Sequence, residues 1–155
     1  MTTAVKNEEK LYFEDIREGR LFEGGPATVS REEIIDFARK YDPQDFHLSD
    51  EKARPLWGGL IASGWHTAAI CSRLMVDAFI SKVRGMGSPG MDEVLFLRPV
   101  RPGDTLSGKF TVLELRPSAS KADRGFLKLK GELTNLKGEI VFSVRGTIIV
   151  ARRIG

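Results

Sequence analysis

The chain has a single cysteine, Cys71, and only two histidines, His47 and His66, in 155 residues. A lone cysteine excludes an intrachain disulfide and argues against a secreted, disulfide-stapled framework. Two histidines and one distant cysteine do not make a zinc-type ligand set, so no metal is expected. Charge of one sign is also missing as a block: 24 Lys and Arg stand against 21 Asp and Glu, for a net charge of +3. Positives and negatives alternate along most segments, which describes a solvated surface. The aromatics sit in apolar patterns and not among interleaved basic residues, so nucleic-acid binding is not expected. There is no internal repeat and no low-complexity stretch. Residues 1–10 carry Lys6, Glu8, Glu9 and Lys10 and no apolar run. A signal peptide or organelle presequence is therefore not expected at this end, and the default compartment is the cytoplasm.

What is present fits one domain. The length is typical of a single core, and 41% hydrophobic with 29% charged residues is ordinary globular composition. We expect residues 1–10 to form a flexible tail and residues 11–155 a single domain. A weak strand, interrupted by Gly24, Gly25 and Pro26, is expected over residues 21–29. Ser30 with Glu33 forms a Ser-x-x-Glu capping box, and Ile34, Phe37 and Ala38 give an i, i+3, i+4 apolar face. Pro43 should end this helix near Lys40 or Tyr41. A second short helix should start at Ser49-Asp50-Glu51 and end at Pro55.

Residues 56–72 contain no Asp, Glu, Lys or Arg, and the apolar character continues to about Lys82. A helix apolar on most sides is a buried one. Its glycines and Arg73 make a bilayer span improbable. Beyond the connector at residues 85–90, alternation predicts strands. Residues 94–100 form a short apolar one; Leu106, Gly108, Phe110 and Val112 alternate with polar residues, as do Leu127, Leu129, Gly131 and Leu133. Asn135 and Gly138 mark a hairpin before a last strand at 140–151. The expected fold class is α+β, an antiparallel sheet wrapped around one long central helix.

Reactive side chains concentrate in Tyr41-Asp42-Pro43-Gln44-Asp45-Phe46-His47. On a helix, residues five apart point roughly 140° away from each other. Pro43 opposes that geometry, and a loop can fold the carboxylate and imidazole towards one point, as shared proton transfer requires. If the buried helix starts at Ser63, the N–H groups of Gly64, Trp65 and His66 belong to its first turn and lack intrahelical partners. A glycine there lets a ligand approach the backbone closely. Cys71, deep in the apolar stretch, reads as a small hydrophobe and not a nucleophile. Asp45 and Asp50 read as solvated or capping residues, His66 as a packed one, and Trp57 and Trp65 as core or pocket wall.

Asp42-x-x-x-x-His47, then Gly58-Gly59-Leu60-Ile61-Ala62-Ser63-Gly64, then Arg98-Pro99-Val100-Arg101-Pro102-Gly103-Asp104, in this order, resembles the MaoC-like dehydratase family, which includes the (R)-specific enoyl-CoA hydratases. The resemblance covers about residues 11–152. It implies the hotdog fold, a homodimer or dimer of dimers, and a catalytic pair Asp42 and His47. These two would activate a water for addition to a trans-2-enoyl thioester, giving an (R)-3-hydroxyacyl thioester, or the reverse, in fatty acid metabolism. Gly64, with Ser63 beside it, would be the oxyanion and substrate-binding position. No cofactor is implied, because coenzyme A or the pantetheine of acyl carrier protein arrives with the substrate. Many members have Asp-x-Asn-Pro-x-His and a histidine before the glycine; here Pro43 follows Asp42, Asp45 takes the proline position and Ser63 precedes the glycine. Two other readings use the same fold: an acyl-CoA thioesterase, disfavoured because residues 56–72 hold no carboxylate, and a non-catalytic acyl-thioester-binding subunit. Arg84, Arg98 and Arg101 read as surface charges, with phosphate contact as the alternative.

Overall fold

The computed structural model describes residues 9–154, so the expected tail lies almost wholly outside the described residues. Five strands form one antiparallel sheet: β1 (Leu21–Thr28), β2 (Gly90–Phe96), β3 (Thr105–Pro117), β4 (Arg124–Thr134) and β5 (Ile140–Ala151), in the spatial order β1-β3-β4-β5-β2. Among the described residues, three α-helices precede β2: α1 (Arg31–Tyr41), α2 (Asp50–Trp57) and α3 (Gly64–Ala78). The sheet curls around α3, whose Cys71, Leu74, Met75 and Ala78 are buried with Leu106, Phe110, Leu127, Leu129 and Leu133 of the sheet. This is the α+β hotdog that the resemblance implies.

Alternation along β4 is complete, with every second residue from Gly125 to Leu133 buried. β3 keeps that pattern through Val112 and then breaks it. Continued alternation would turn Glu114 inward. A bulge between Val112 and Glu114 inserts one residue, so Glu114 stays exposed and Leu115 packs on the core. At β1, a Cβ on Gly24 would lie 2.9 Å from the Leu74 carbonyl oxygen. The absent side chain thus lets β1 lie directly against α3.

Three expectations are corrected. The apolar run 56–82 is not one helix: α3 spans fifteen residues, about 22 Å. Residues 58–63 ahead of it are neither helix nor strand, because Gly58, at φ 76°, terminates α2 in the left-handed region. Pro55 does not end α2, which continues to Trp57. The carbonyl that a proline there leaves unbonded is that of Glu51, an exposed residue in the first turn of the helix. The strand expected at 94–100 is β2, shifted back to Gly90–Phe96. Pro99 has no N–H for a ladder, and the chain departs from the sheet after Leu97 and Arg98 both donate to the Val141 carbonyl (2.9 and 3.3 Å). That departure carries residues 98–100 across the start of α3. Among the described residues, no helix is long and apolar enough to cross a membrane.

Candidate active site

α1 begins where Ser30 Oγ accepts from the Glu33 N–H (3.1 Å) and ends at Asp42, whose own N–H donates to the Ala38 carbonyl (2.9 Å). Pro43 turns the chain out of the helix. The Gln44 N–H then donates back to the Asp42 carbonyl (2.8 Å), and a 3-10 turn at Asp45–His47 follows. The turn folds the imidazole back on the carboxylate, so that His47 Nε2 lies 3.3 Å from Asp42 Oδ2. The two side chains expected to share a reaction centre therefore meet. His47 is buried, and the Asp42 side chain is 16% exposed.

The orientation of His47 is set by the segment 58–63. The Leu60 N–H donates to Asp50 Oδ1 (2.9 Å), the Ile61 N–H to the Phe46 carbonyl (3.2 Å), and the Ala62 N–H to the Val100 carbonyl (2.8 Å). Held at three successive amides, this segment directs the Ile61 carbonyl at His47 Nδ1, 2.8 Å away. A carbonyl only accepts, so Nδ1 carries the proton and Nε2 faces Asp42. Asp50, read from sequence as solvated or capping, is thus a tether for this segment, also paired with Arg31.

Both oxygens of Asp42 are engaged. Ser63 Oγ donates to Oδ2 (2.7 Å), and Gln44 Nε2 donates to Oδ1 (2.7 Å). Burial pushes the carboxyl pKa up, but the Ser63 and Gln44 donors outweigh it and leave Asp42 below the ordinary carboxylate range. Ser63 is fully buried and its hydroxyl is committed to this carboxylate, while its Oγ also accepts from the Trp65 N–H (3.3 Å). Its carbonyl accepts from His66 and Thr67 (3.0 and 3.1 Å). Of the three first-turn amides expected to lack partners, those of Trp65 and His66 are therefore taken. The amide of Gly64 opens the helix, with no carbonyl four residues back within it.

A cavity of about 220 Å³ adjoins His47 and Gly64, with Trp57, Thr67, Phe96 and Val141 also in its lining, and Asp42 stands behind His47 rather than in the cavity wall. A Cβ on Gly64 would meet the Phe96 ring at 2.7 Å, so the glycine lets this wall close over the helix start. The two tryptophans separate in role: Trp57 lines the cavity, whereas Trp65 is 59% exposed and stands edge-on to Phe96. Asp45 is on the surface beside Lys52, and Arg101 bonds the Trp57 carbonyl. His66 turns away, stacked on Phe37 at 4.8 Å. Burial of Cys71 pushes its thiol up to about 12, consistent with an inert core residue. Sequence reasoning missed Gln44 and Phe96 as site residues. Gln44 stands where the Asp-x-Asn-Pro-x-His pattern has its asparagine, a signal that was there to be used; Phe96 was visible only as an apolar strand residue. Among the described residues, no group of three or more His, Cys, Asp or Glu is placed to hold a metal ion.

Residues 16–125 match the family model described as MaoC like domain. The chain is 32% identical over 137 residues to the 3-hydroxybutyryl-CoA dehydratase of Methylorubrum extorquens, covering 86% of this chain and 84% of that protein. It is 30% identical over 136 residues to protein YdeM of Bacillus subtilis, covering 86% of this chain and 94% of that one. A crystal structure of a MaoC-like dehydratase from Rhodospirillum rubrum superposes with a TM-score of 0.83 at 39% identity, over 94% of this chain and 99% of the other. The chain belongs to the MaoC-like dehydratase family.

Proposed function

We propose that the protein adds water to a trans-2-enoyl thioester with a short acyl group, giving the (R)-3-hydroxyacyl thioester, and catalyses the reverse dehydration. The observation that carries this reading is the pairing of His47 Nε2 with Asp42 Oδ2 at 3.3 Å beside a cavity that also reaches Gly64. With Nδ1–H given to Ile61, Nε2 and the carboxylate, 3.3 Å apart, are two acceptors within reach of one water. A water there donates one O–H to each, which leaves its oxygen lone pairs free for the β-carbon of the enoyl group. As the C–O bond forms, one water proton passes to the pair and is delivered to the α-carbon. The π electrons move towards the thioester oxygen, and in this reading the Gly64 amide at the start of α3 stabilises that charge. Ser63 and Gln44 hold the carboxylate ionised and oriented.

The short acyl group follows from volume. About 220 Å³ is below the range typical of pockets for larger ligands, and Phe96 and Val141 bound it. The action of the Methylorubrum relative on a 3-hydroxybutyryl thioester agrees with this. Thioester hydrolysis is less well supported. The carboxylate on α3 is Asp77, at the far end of the helix and bonded to Arg73 (2.8 Å). A screen of enoyl-CoA chain lengths against the purified protein tests the reading. Hydration of crotonyl-CoA without thiol release is expected; thiol release, or no turnover at any length, would overturn it.

We further propose that two copies pair through β2. This edge strand bonds only β5 in the sheet and exposes Met91, Leu95 and Phe96 at 40–51%. A free, apolar sheet edge is a surface that a symmetric copy can complete. Light scattering on the eluted protein should give two chains, and Leu95→Lys should give one; a wild-type monomer would contradict the pairing.

A further inference from the structure

Sites that stabilise a developing oxyanion aim several donors at one oxygen. The start of α3 offers the Gly64 amide, while those of Trp65 and His66 are taken by Ser63. Four side chains in the lining of the adjoining cavity can hydrogen-bond: His47, Trp57, Thr67 and Arg98. Both His47 nitrogens face partners, Ile61 and Asp42, and Arg98 pairs with Glu139 (2.9 Å). Trp57 belongs to α2 and is 42% exposed. Of the four, only Thr67 shares α3 with Gly64, and it is 4% exposed.

The Thr67 hydroxyl is held loosely. Among the described residues it donates to the Ser63 carbonyl at 3.4 Å, well beyond the usual O–H···O length of about 2.7–2.8 Å. That carbonyl has two lone pairs, and the amides of His66 and Thr67 fill both (3.0 and 3.1 Å). The hydroxyl is thus a third donor to an oxygen already satisfied, and it can rotate away without leaving that carbonyl unpaired. Helical side chains lean towards the N-terminus, so Thr67, three residues on from Gly64, reaches back over the turn that Gly64 opens. Gly64 has no side chain to fill that place, and both residues line the same cavity. We infer that Thr67 Oγ1 is a second donor to the thioester oxygen. The hydroxyl swings from the Ser63 carbonyl to the substrate and shares with the Gly64 amide the charge that develops as water adds. The inference rests on the proposed hydratase reading and adds to it a donor that substitution can remove without touching the backbone. It also gives a use to a buried hydroxyl whose neighbours in the cavity wall, Ile61, Ala62, Val100 and Val141, are apolar.

The test measures steady-state hydration of crotonyl-CoA by wild type, Thr67→Val and Thr67→Ser. Valine keeps the branched shape and removes the hydroxyl; serine keeps the hydroxyl and removes the methyl. kcat should fall about 10²-fold in Thr67→Val with KM little changed, the mark of an interaction made in the transition state. Thr67→Ser should stay close to the wild type. A spectroscopic readout separates a donor from a packing residue. Butyryl-CoA carries the same thioester and no double bond to hydrate. In isotope-edited infrared difference spectra its carbonyl stretch should lie at lower frequency on the wild type than on Thr67→Val. A valine variant with wild-type kcat, a loss confined to KM, a serine variant as slow as the valine one, or an unshifted carbonyl band would each overturn the inference and leave the hydratase standing. If Thr67→Val does not fold, Thr67→Ala takes its place against Thr67→Ser with the same expectations. A wild type that hydrates no enoyl-CoA removes the hydratase reading itself, and the inference with it.

Discussion

Replacing Ser63 with Ala removes two hydrogen bonds made by one buried hydroxyl: its donation to Asp42 Oδ2 (2.7 Å) and its acceptance from the Trp65 N–H (3.3 Å). A hydrogen bond to a charged group contributes about 1.5–3 kcal/mol; the low end applies here because the carboxylate still meets solvent at one edge. Loss of the cap adds about 1 kcal/mol. The expected destabilisation is about 2–2.5 kcal/mol in urea unfolding, most of it retained at neutral pH. The second consequence is a pH effect. The two donors hold Asp42 below its ordinary range against the opposing effect of burial, and catalysis in this account needs the carboxylate ionised. Removing a donor raises its pKa, so the acid limb of kcat/KM for crotonyl-CoA should move to higher pH. Gln44→Ala removes the other donor without disturbing a helix cap, so it should shift the limb in the same direction with a smaller loss of stability. An acid limb unmoved in both variants would refute the assignment of Asp42 as the group that must be ionised.

Two further outcomes follow from the same geometry. Gly64→Ala places a methyl against Phe96 and beside the amide proposed to hold the thioester oxygen; kcat/KM should fall by about 10²-fold with KM little changed, read in steady-state hydration kinetics. Burial holds His66 below its ordinary 6.5, opposed in smaller part by Glu33. The imidazole is thus neutral in the fold and binds a proton on unfolding between the two values, so stability falls as pH drops below 6.5 towards the folded value. His66→Phe keeps a ring against Phe37, removes a buried nitrogen that has no partner, and should flatten this dependence in denaturation curves taken from pH 8 to 5.

Much of the fold was legible because its determinants are local. Ser30, Pro43 and the 106–112 and 127–133 alternations specify α1 and two strands from nearest-neighbour chemistry, and Asn135 with Gly138 closes the expected hairpin. The long apolar run misled because hydrophobicity reports burial and not conformation: residues 58–63 carry no charge yet are not helical, and only their hydrogen bonds to Phe46, Asp50 and Val100 reveal why. The bulge after Val112 was likewise hidden, since Leu113 and Leu115 are alike in hydropathy and only the pairing partner decides which faces inward. At the site, the meeting of Asp42 and His47 was legible from spacing and Pro43. The Ile61 carbonyl that fixes the imidazole was not, because every residue has a carbonyl and only tertiary structure aims one.

The central claim is that Asp42 and His47 act on a single water as one unit, and the most direct measurement is a double-mutant cycle on crotonyl-CoA hydration with Asp42→Asn, His47→Gln and the pair together. Groups that share one task are not additive, so each single variant should lose about 10²-fold or more in kcat and the double variant little beyond that. Losses that multiply in the double variant, or a single variant that turns over like the wild type, would contradict it.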